Sequence, residues 1–453
     1  MLVQNIQGVK MQNTYILRGG TILSFDPQNP VLQDQAILIA DGRILQIAPE
    51  AEFSLLQAER IDATDKIIMP GLINAHHHFY SSLVTGLGKA APSADFNQVL
   101  ENLWWRLDKK LLEEDNYMSA MVSLLTAIRK GTTTIIDHHA SPFSIGGSLA
   151  QIARAVKETG LRASLCYEVS DRDGEAKAAE GMAENADWIR TCQAENDPFL
   201  KGLFGMHAAF TLSDKSLETI ATLAQELDCG THIHAAEADS DQQYNLEHYG
   251  KRVVQRLDGF GLINSQSILA HGVYLDESEL EIVAARKAAI VTNPQSNLNN
   301  AVGIADLVKM KQKGVMVGLG TDAMTVNMLE ELRVAMWAQH LKQDNPTAAF
   351  MEVASTLLFN NPAIASKYWQ MPLGRLVNGA AADLILVDYD PHTPLNEETW
   401  MGHVIYGISQ AAVDSTMVAG RFLMWNRELL LDIDEAEIKA KSRELAGKLW
   451  DRF

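Results

Sequence analysis

Eight short runs of apolar and β-branched residues recur along the middle of this chain, most of them separated by an amphipathic stretch. They are IIMPGLINAHHH, TTTIIDHH, RASLCYEVS, LKGLFGMHAAF, GTHIHAAE, SILAHGVYL, AAIVTNPQSN and VMVGLGTDA. Separators such as SLAQIARAVKETG and SLETIATLAQELDCG repeat apolar residues three and four apart, the period of a helix with one buried face. Eight strands alternating with helices over about 300 residues fit few architectures. The expectation is an α/β fold, a (β/α)8 barrel of TIM type over residues 69–371. An open dinucleotide-binding sheet is disfavoured, because no Gly-x-Gly-x-x-Gly opens any of the helices.

Both ends of the chain have a different texture. TYILRGGTILSFD and QAILIADGRILQIAP near the start, and GAAADLILVDYD and AAVDSTMVAGRFLMWN near the end, are short β runs broken by Gly and Asp. Neither group makes a good sheet alone, so residues 1–68 and 372–432 are expected to build one composite β-sandwich. Residues 433–453 read as a C-terminal helix of mixed charge on the outside. Met11 stands just ahead of the first strand, so residues 1–10 read as a dispensable extension or a misassigned start.

The 57 acidic and 38 basic residues give a net charge of −19. Such a surface repels phosphate backbones and anionic lipids, so the expected partner is a small molecule, with no nucleic acid and no membrane. Three widely spaced cysteines, Cys166, Cys192 and Cys229, argue against a disulfide framework or a thiolate zinc site and suit a reducing compartment. With no run of 18 apolar residues and no basic-then-apolar leader, the expected location is the cytoplasm.

The histidines gather where such a fold does its chemistry. Of 13, most stand at the C-terminal ends of strand runs: His76, His77, His78, His138, His139, His207, His232, His234 and His271. That face carries the active sites of barrel enzymes, and converging imidazoles are better explained as metal ligands than as packing. Strand alternation turns His76 and His78 one way and His77 the other, so the first two can hold one ion. His234 and Glu237 lie three apart where a strand becomes a loop, and a glutamate beside a metal is the usual proton shuttle for hydrolysis. His232 shares a face with His234, as a rival ligand or as a lower histidine held by hydrogen bonds. His271 and Asp322 each follow an apolar strand, and a carboxylate there can complete a metal shell and accept a proton from water.

Taken together, PGLINAHHH, HIHAAE, LAHGVYL and GLGTDA resemble the amidohydrolase superfamily over most of the chain. Within it the sequence is similar to the cytosine, guanine and triazine deaminase group, and most of all to aminohydrolases of the SsnA type. That nearer likeness rests on ENLWWRLDKKL, IIDHHASP, IGGSL, HIHAAE and NPQSNLNNAVG. The resemblance implies that His76, His78, His234 and Asp322 bind one divalent metal, zinc or else iron or manganese. It implies that Glu237 is the acid/base shuttle and His271 a catalytic or supporting histidine. A single ion is implied because LFGMHAAF ends in His207, with Lys201 back at the strand's start, where binuclear relatives need a carbamylated lysine.

The activity implied is attack of metal-activated water on an aminated N-heterocycle, a purine, pterin or similar ring, with release of ammonia. A second enzyme reading keeps the site and removes chloride or an alkylamine from a triazine-like ring. A third is a barrel scaffold without chemistry, for which the missing signature is the loss of a ligand. Relatives of this kind suggest a homodimer.

Several further residues are candidates for the substrate pocket. Phe79, Tyr80, Trp104, Trp105 and Arg106 follow the first strand, and aromatic walls suit a planar ring, although a Trp pair in a helix also serves as core. Trp104 and Trp105 cannot face one side of a helix together, so at most one, Trp105, is expected at the substrate. Arg172 in VSDRDGE can fork onto an anionic or carbonyl group or remain a solvated loop charge. His207 resembles the substrate-contacting histidine of related deaminases. Of His138 and His139 one at most reaches the cavity. Asn293, Ser296 and Asn297 can bond a ring edge or simply build a turn.

Overall fold

The structure, a computed structural model, describes residues 14–453; the reading of residues 1–10 lies outside the described residues. Each of the eight apolar runs contains a core strand. In chain order they are Leu72–His77, Thr132–Asp137, Arg162–Leu165, Phe204–Ala208, Thr231–Ala235, Ile268–His271, Ala289–Thr292 and Met316–Leu319. Nearly every residue in them is buried, as expected for parallel strands with both faces covered.

These strands form two parallel sheets. The first runs from Leu72–His77 through Thr132–Asp137 and Arg162–Leu165 to a short strand at Leu200–Gly202. The second takes the remaining five in chain order. The stretch Leu200–Ala208 supplies a strand to each sheet, and Val169 bridges to Met206 beside it. At the other edge the amides of Thr321 and Asp322 both donate to the His76 carbonyl, at 2.9 and 3.0 Å. The last and first strands of the series are thereby neighbours.

Local chemistry sets the helices between them. Ser213 caps Asp214–Glu226 by accepting from the Ser216 amide, and Ser148–Thr159 stops at Gly160, which takes a left-handed φ of 77°.

The ends of the chain build two further sheets. One holds Tyr15–Arg18, Gln35–Ala40, Arg43–Pro49 and Glu59–Asp62. The other joins Thr21–Leu23, Val31–Leu32 and Ile67–Pro70 to Leu384–Asp388, Ala412–Val418, Arg421–Trp425 and Glu428–Leu429. Leu17, Ile37 and Ile39 pack with Ile22, Ile68, Leu384, Leu386 and Met417 in one buried cluster. The run IIMPGLINAHHH therefore serves two sheets. Ile67–Pro70 pairs with Leu384–Asp388, and after Gly71 the chain enters the parallel sheet. Gly71 is required at that pivot, because a Cβ there would stand 2.3 Å from Thr133 Oγ1.

Two contacts tie these outer parts to the central part of the fold. Arg162 and Asp383 form a buried pair at 2.7 Å, and Asp383 also accepts from the Ala419 amide. The helix Glu435–Arg452, capped by Asp434, buries Leu445 and Leu449 among Tyr80, Leu83 and Leu107, and Trp450 donates to the Leu83 carbonyl at 2.8 Å. Among the described residues no helix is long and apolar enough to cross a membrane.

Removing one partner of a buried ion pair strands the other charge. Asp383→Ala is expected to lower unfolding free energy by about 3–5 kcal/mol in urea denaturation. A loss under about 1 kcal/mol would show that the pair does not hold the outer sheet to the core.

Candidate active site

The strand ends bring a set of imidazoles to one point. His78 Nε2 lies 3.2 Å from His234 Nε2 and 2.8 Å from Asp322 Oδ1, with His76 Nε2 3.8 Å from the same oxygen. His77 turns away, as strand parity requires, and bonds Ser123 and the Asp322 carbonyl. His271 Nε2 stands 3.8 Å from Asp322 Oδ2 and 3.5 Å from Glu237 Oε2. Gly320 lets the last strand come this close to the first, since a Cβ there would meet His76 Cβ at 2.7 Å. His271 and Asp322 adopt left-handed φ angles of 73° and 53°, costly for residues with a Cβ and characteristic of functional positions.

The far side of each ring is held. His234 Nδ1 bonds the His207 carbonyl at 2.8 Å, and His78 Nδ1 bonds the His138 carbonyl. A carbonyl only accepts, so both rings carry a hydrogen on Nδ1, and the Nε2 turned inward is bare whenever the ring is neutral. His76 Nδ1 meets His232 Nε2 at 2.8 Å, which places His232 beneath the cluster as a supporting ring. His271 Nδ1 meets Asn297 Oδ1 at 2.8 Å. Asn297 thus touches His271 and does not line the cavity. Ser296 donates its hydroxyl hydrogen to Asp322 Oδ2.

These side chains suit a cation. His76 Nε2 and His271 Nε2 are buried without a hydrogen-bond partner among the described residues. Burial, then the charge on His78, holds His76 far below its ordinary pKa, and burial likewise lowers His234 and takes His271 to about 4. Burial also opposes charge on His78, but Asp322 and Glu168 outweigh it and hold that ring protonated. Asp322 is driven well below the carboxylate range by the same partner despite its burial. A proton on His78 is therefore what balances Asp322 in the protein alone. A divalent ion would do the same while leaving every imidazole neutral, and three nitrogens with one carboxylate are a donor set that zinc accepts. Donor atoms within 4.8 Å of one another are offered by His76, His78, His138 and His234, and by His76, His234, His271 and Asp322, so the expected quartet spans two overlapping sets.

A cavity opens on this cluster. Its wall includes Glu237, whose carboxyl is pushed well above its ordinary pKa by burial and then by Asp322, and which Asn300 bonds. Both Trp104 and Trp105 line it, against the expectation of at most one. The helix there widens into a π-helical stretch over Leu100–Trp104, which changes the angle between successive side chains. Trp104 packs edge-on to Tyr80, while Trp105 meets His207 and Phe210. His207 is in the wall as well. Arg172 is not. Its Nη2 bonds Asp108 at 2.7 Å, its guanidinium lies 4.9 Å from the Trp105 ring, and it holds that ring from behind. Asp108, Glu168 and Asn300 line the cavity and were not foreseen. Their only sequence signals are the acidic residue after WWRL, the strand-end YEVS and the Asn-rich NLNN.

Residues 67–423 match the amidohydrolase family. A 5-methylthioadenosine/S-adenosylhomocysteine deaminase of Pelotomaculum thermopropionicum is 30% identical over 96% of this chain and 99% of its own length. A 5'-deoxyadenosine deaminase of Methanosarcina barkeri is 30% identical over 96% and 98%. In fold, the chain is similar to an adenosine deaminase from Xanthomonas campestris solved with bound zinc, at TM-score 0.85 and 24% identity over 96% and 98%.

If Arg172 clamps Trp105, Arg172→Ala will increase acrylamide quenching of tryptophan fluorescence without changing circular dichroism. The increase should vanish in a Trp105→Phe background. Equal quenching in wild type and Arg172→Ala would contradict the clamp.

Proposed function

We propose, from the premise that the chain belongs to the amidohydrolase family, that it deaminates an aminated N-heterocycle and releases ammonia. The observation that carries this reading is one buried cavity in which His76, His78, His234 and Asp322 converge beside the Glu237 carboxyl, whose charge burial disfavours. In this reading those four residues hold a single divalent ion, zinc or, in its place, iron or manganese. Such an ion supplies Lewis acidity, lowering the pKa of water towards neutrality.

The remaining work belongs to the chain's own side chains. Glu237 keeps its hydrogen because burial and Asp322 disfavour its charge, so it can protonate a ring nitrogen as water adds to the adjacent carbon. A hydrogen bond from Asn300 acts the other way, favouring the charged carboxylate. His271, its Nδ1 held by Asn297, turns a bare Nε2 towards both Glu237 and Asp322. It and Asp322 can take the first proton of the attacking water; Glu237, emptied onto the ring nitrogen, can take the second from the added hydroxyl and deliver it to the departing nitrogen, and the proton held by His271 and Asp322 then restores Glu237. Ammonia leaves and a carbonyl remains. Trp105 and His207 offer the ring a flat wall and a polar contact. Arg172 and Asn297 serve the substrate through the residues they hold.

The same reading takes the eight strands as a closed (β/α)8 barrel over residues 69–371, supported by the backbone bonds at both sheet edges. It takes the terminal sheets, the described part of residues 1–68 with 372–432, as a β-sandwich, with the 433–453 helix outside. The protein is read as cytoplasmic and homodimeric, with a small heterocycle as its partner and no affinity for nucleic acid or membranes, in keeping with its net charge of −19.

Ammonia release by zinc-loaded protein on a panel of aminopurines, aminopterins and aminotriazines tests this. Glu237→Gln should lose about 10²–10⁴-fold in turnover and keep its zinc, whereas His234→Ala should lose the zinc. Zinc loss in Glu237→Gln would make Glu237 a ligand. Chloride or alkylamine release without ammonia would overturn the deaminase reading.

A further inference from the structure

One buried thiol takes no part in this chemistry. Cys166 follows the third core strand, Arg162–Leu165, and is 1% exposed. Its sulfur lies 3.3 Å from the Asp137 carbonyl oxygen and 3.6 Å from His232 Nδ1. His232 in turn sets Nε2 at 2.8 Å from Nδ1 of His76. The ring of His138 stacks on that of His232 at 4.4 Å and bonds the His232 carbonyl through Nε2. Ala75, Ile136, Leu203, Ile268 and Val291 share the buried cluster of Cys166, so apolar core closes this end of the row to solvent. Such surroundings disfavour charge on the thiol or the imidazole, and each then has one hydrogen to place. Two directions satisfy the row. In the first the thiol donates to Asp137, the sulfur accepts from His232 Nδ1, and His232 Nε2 accepts from His76 Nδ1, which leaves His76 Nε2 bare. In the second the thiol donates to His232, and His76 carries its hydrogen on Nε2. That nitrogen is buried with no hydrogen-bond partner among the described residues, so a hydrogen there would be stranded. The second direction also leaves the shorter of the two sulfur contacts without its hydrogen.

We propose that Cys166 is a positioning residue for the metal site. By donating to the Asp137 carbonyl and accepting from His232 Nδ1, its thiol fixes the hydrogen of His232 and, through it, the bare Nε2 of His76. This rests on reading His76 as a metal ligand. His78 and His234 are aimed by carbonyls, which only accept, whereas His76 is aimed by an imidazole, which can point its hydrogen either way. A ligand imidazole is oriented through its second nitrogen, so the group that orients His76 must itself be oriented, and the thiol does this. A thiol donates and accepts weakly, which suffices where no solvent competes. With hydrogens on the sulfur and on His232 Nδ1, the side chains of His138, Cys166 and His232, whose ligand atoms lie within 4.8 Å of one another, are a hydrogen-bonded support and not a second metal site.

Two measurements test this, and neither needs a substrate. Histidine-selective nitrogen nuclear magnetic resonance reads the tautomer of His232, its signal identified by its loss in His232→Gln. Chelator competition reads the affinity for zinc. Wild type should carry the His232 hydrogen on Nδ1, both metal-free and zinc-loaded. Cys166→Ala, which removes the acceptor, should move that hydrogen to Nε2 and weaken zinc about tenfold. Cys166→Ser, which donates and accepts from the same place, should keep the hydrogen on Nδ1 and lose less affinity than Cys166→Ala. A His232 hydrogen on Nε2 in wild type would overturn the proposal. So would Cys166→Ala with either the wild-type tautomer or the wild-type zinc affinity. Equal weakening in Cys166→Ala and Cys166→Ser would overturn it too, because lost bulk and not a lost hydrogen bond would then be the cause. His76→Ala is scored separately. Zinc held there as tightly as in wild type removes His76 from the ligand set and sinks that reading, while the His232 tautomer still decides for or against Cys166.

Discussion

The Nδ1 hydrogens of His78 and His234 are each given to a main-chain carbonyl, and the rest of the site depends on those two bonds. They decide which nitrogen of each ring is bare and where it points. The carbonyls belong to His138 and His207, which follow or end neighbouring strands, so the register of the parallel sheets is what aims the rings. His76 rests on His232 in the same manner and His271 on Asn297. A layer of fixed hydrogen bonds beneath bare nitrogens is costly to bury, and a cation recovers that cost. The left-handed backbone at His271 and Asp322 belongs to the same arrangement, since it turns two strand ends towards the cluster.

The outer parts of the molecule bear on this centre through packing. Gly71 marks where the chain passes from the sheet of the termini into the strand bearing His76 and His78. Arg162 reaches from the third core strand to Asp383, so the strand leading to Glu168 is anchored from outside. The C-terminal helix holds the loop after His78 through Leu83 and Tyr80, and Arg106 stacks on Phe453 at 4.2 Å beside the two cavity tryptophans. The cavity wall is therefore partly built by the far end of the chain.

What was legible in the sequence was local. The eight strands follow from short β-branched runs, and the shared side of His76 and His78 follows from strand parity. The apposition of these with His234, Glu237, His271 and Asp322 follows from their all standing at strand ends. What could not be read depends on distant partners. Arg172 looks like an anion-binding fork until Asp108, 64 residues earlier, occupies it. Asn297 looks like a ring contact until His271, 26 residues away, takes its oxygen. Trp104 and Trp105 both reach the cavity because the helix departs from the α period over one turn. Glu168 sits past a strand end in a stretch without histidine, and only its buried, unpartnered oxygen in three dimensions draws notice to it.

X-ray absorption at the zinc edge on the loaded protein tests the central claim most directly. The proposed centre predicts one zinc per chain with first-shell nitrogen and oxygen near about 2.0–2.2 Å. It also predicts the outer-shell scattering of three imidazole rings and no metal–metal vector. A shell without imidazole scattering, or a second zinc alongside the first, would contradict the assignment of His76, His78, His234 and Asp322 to a single ion.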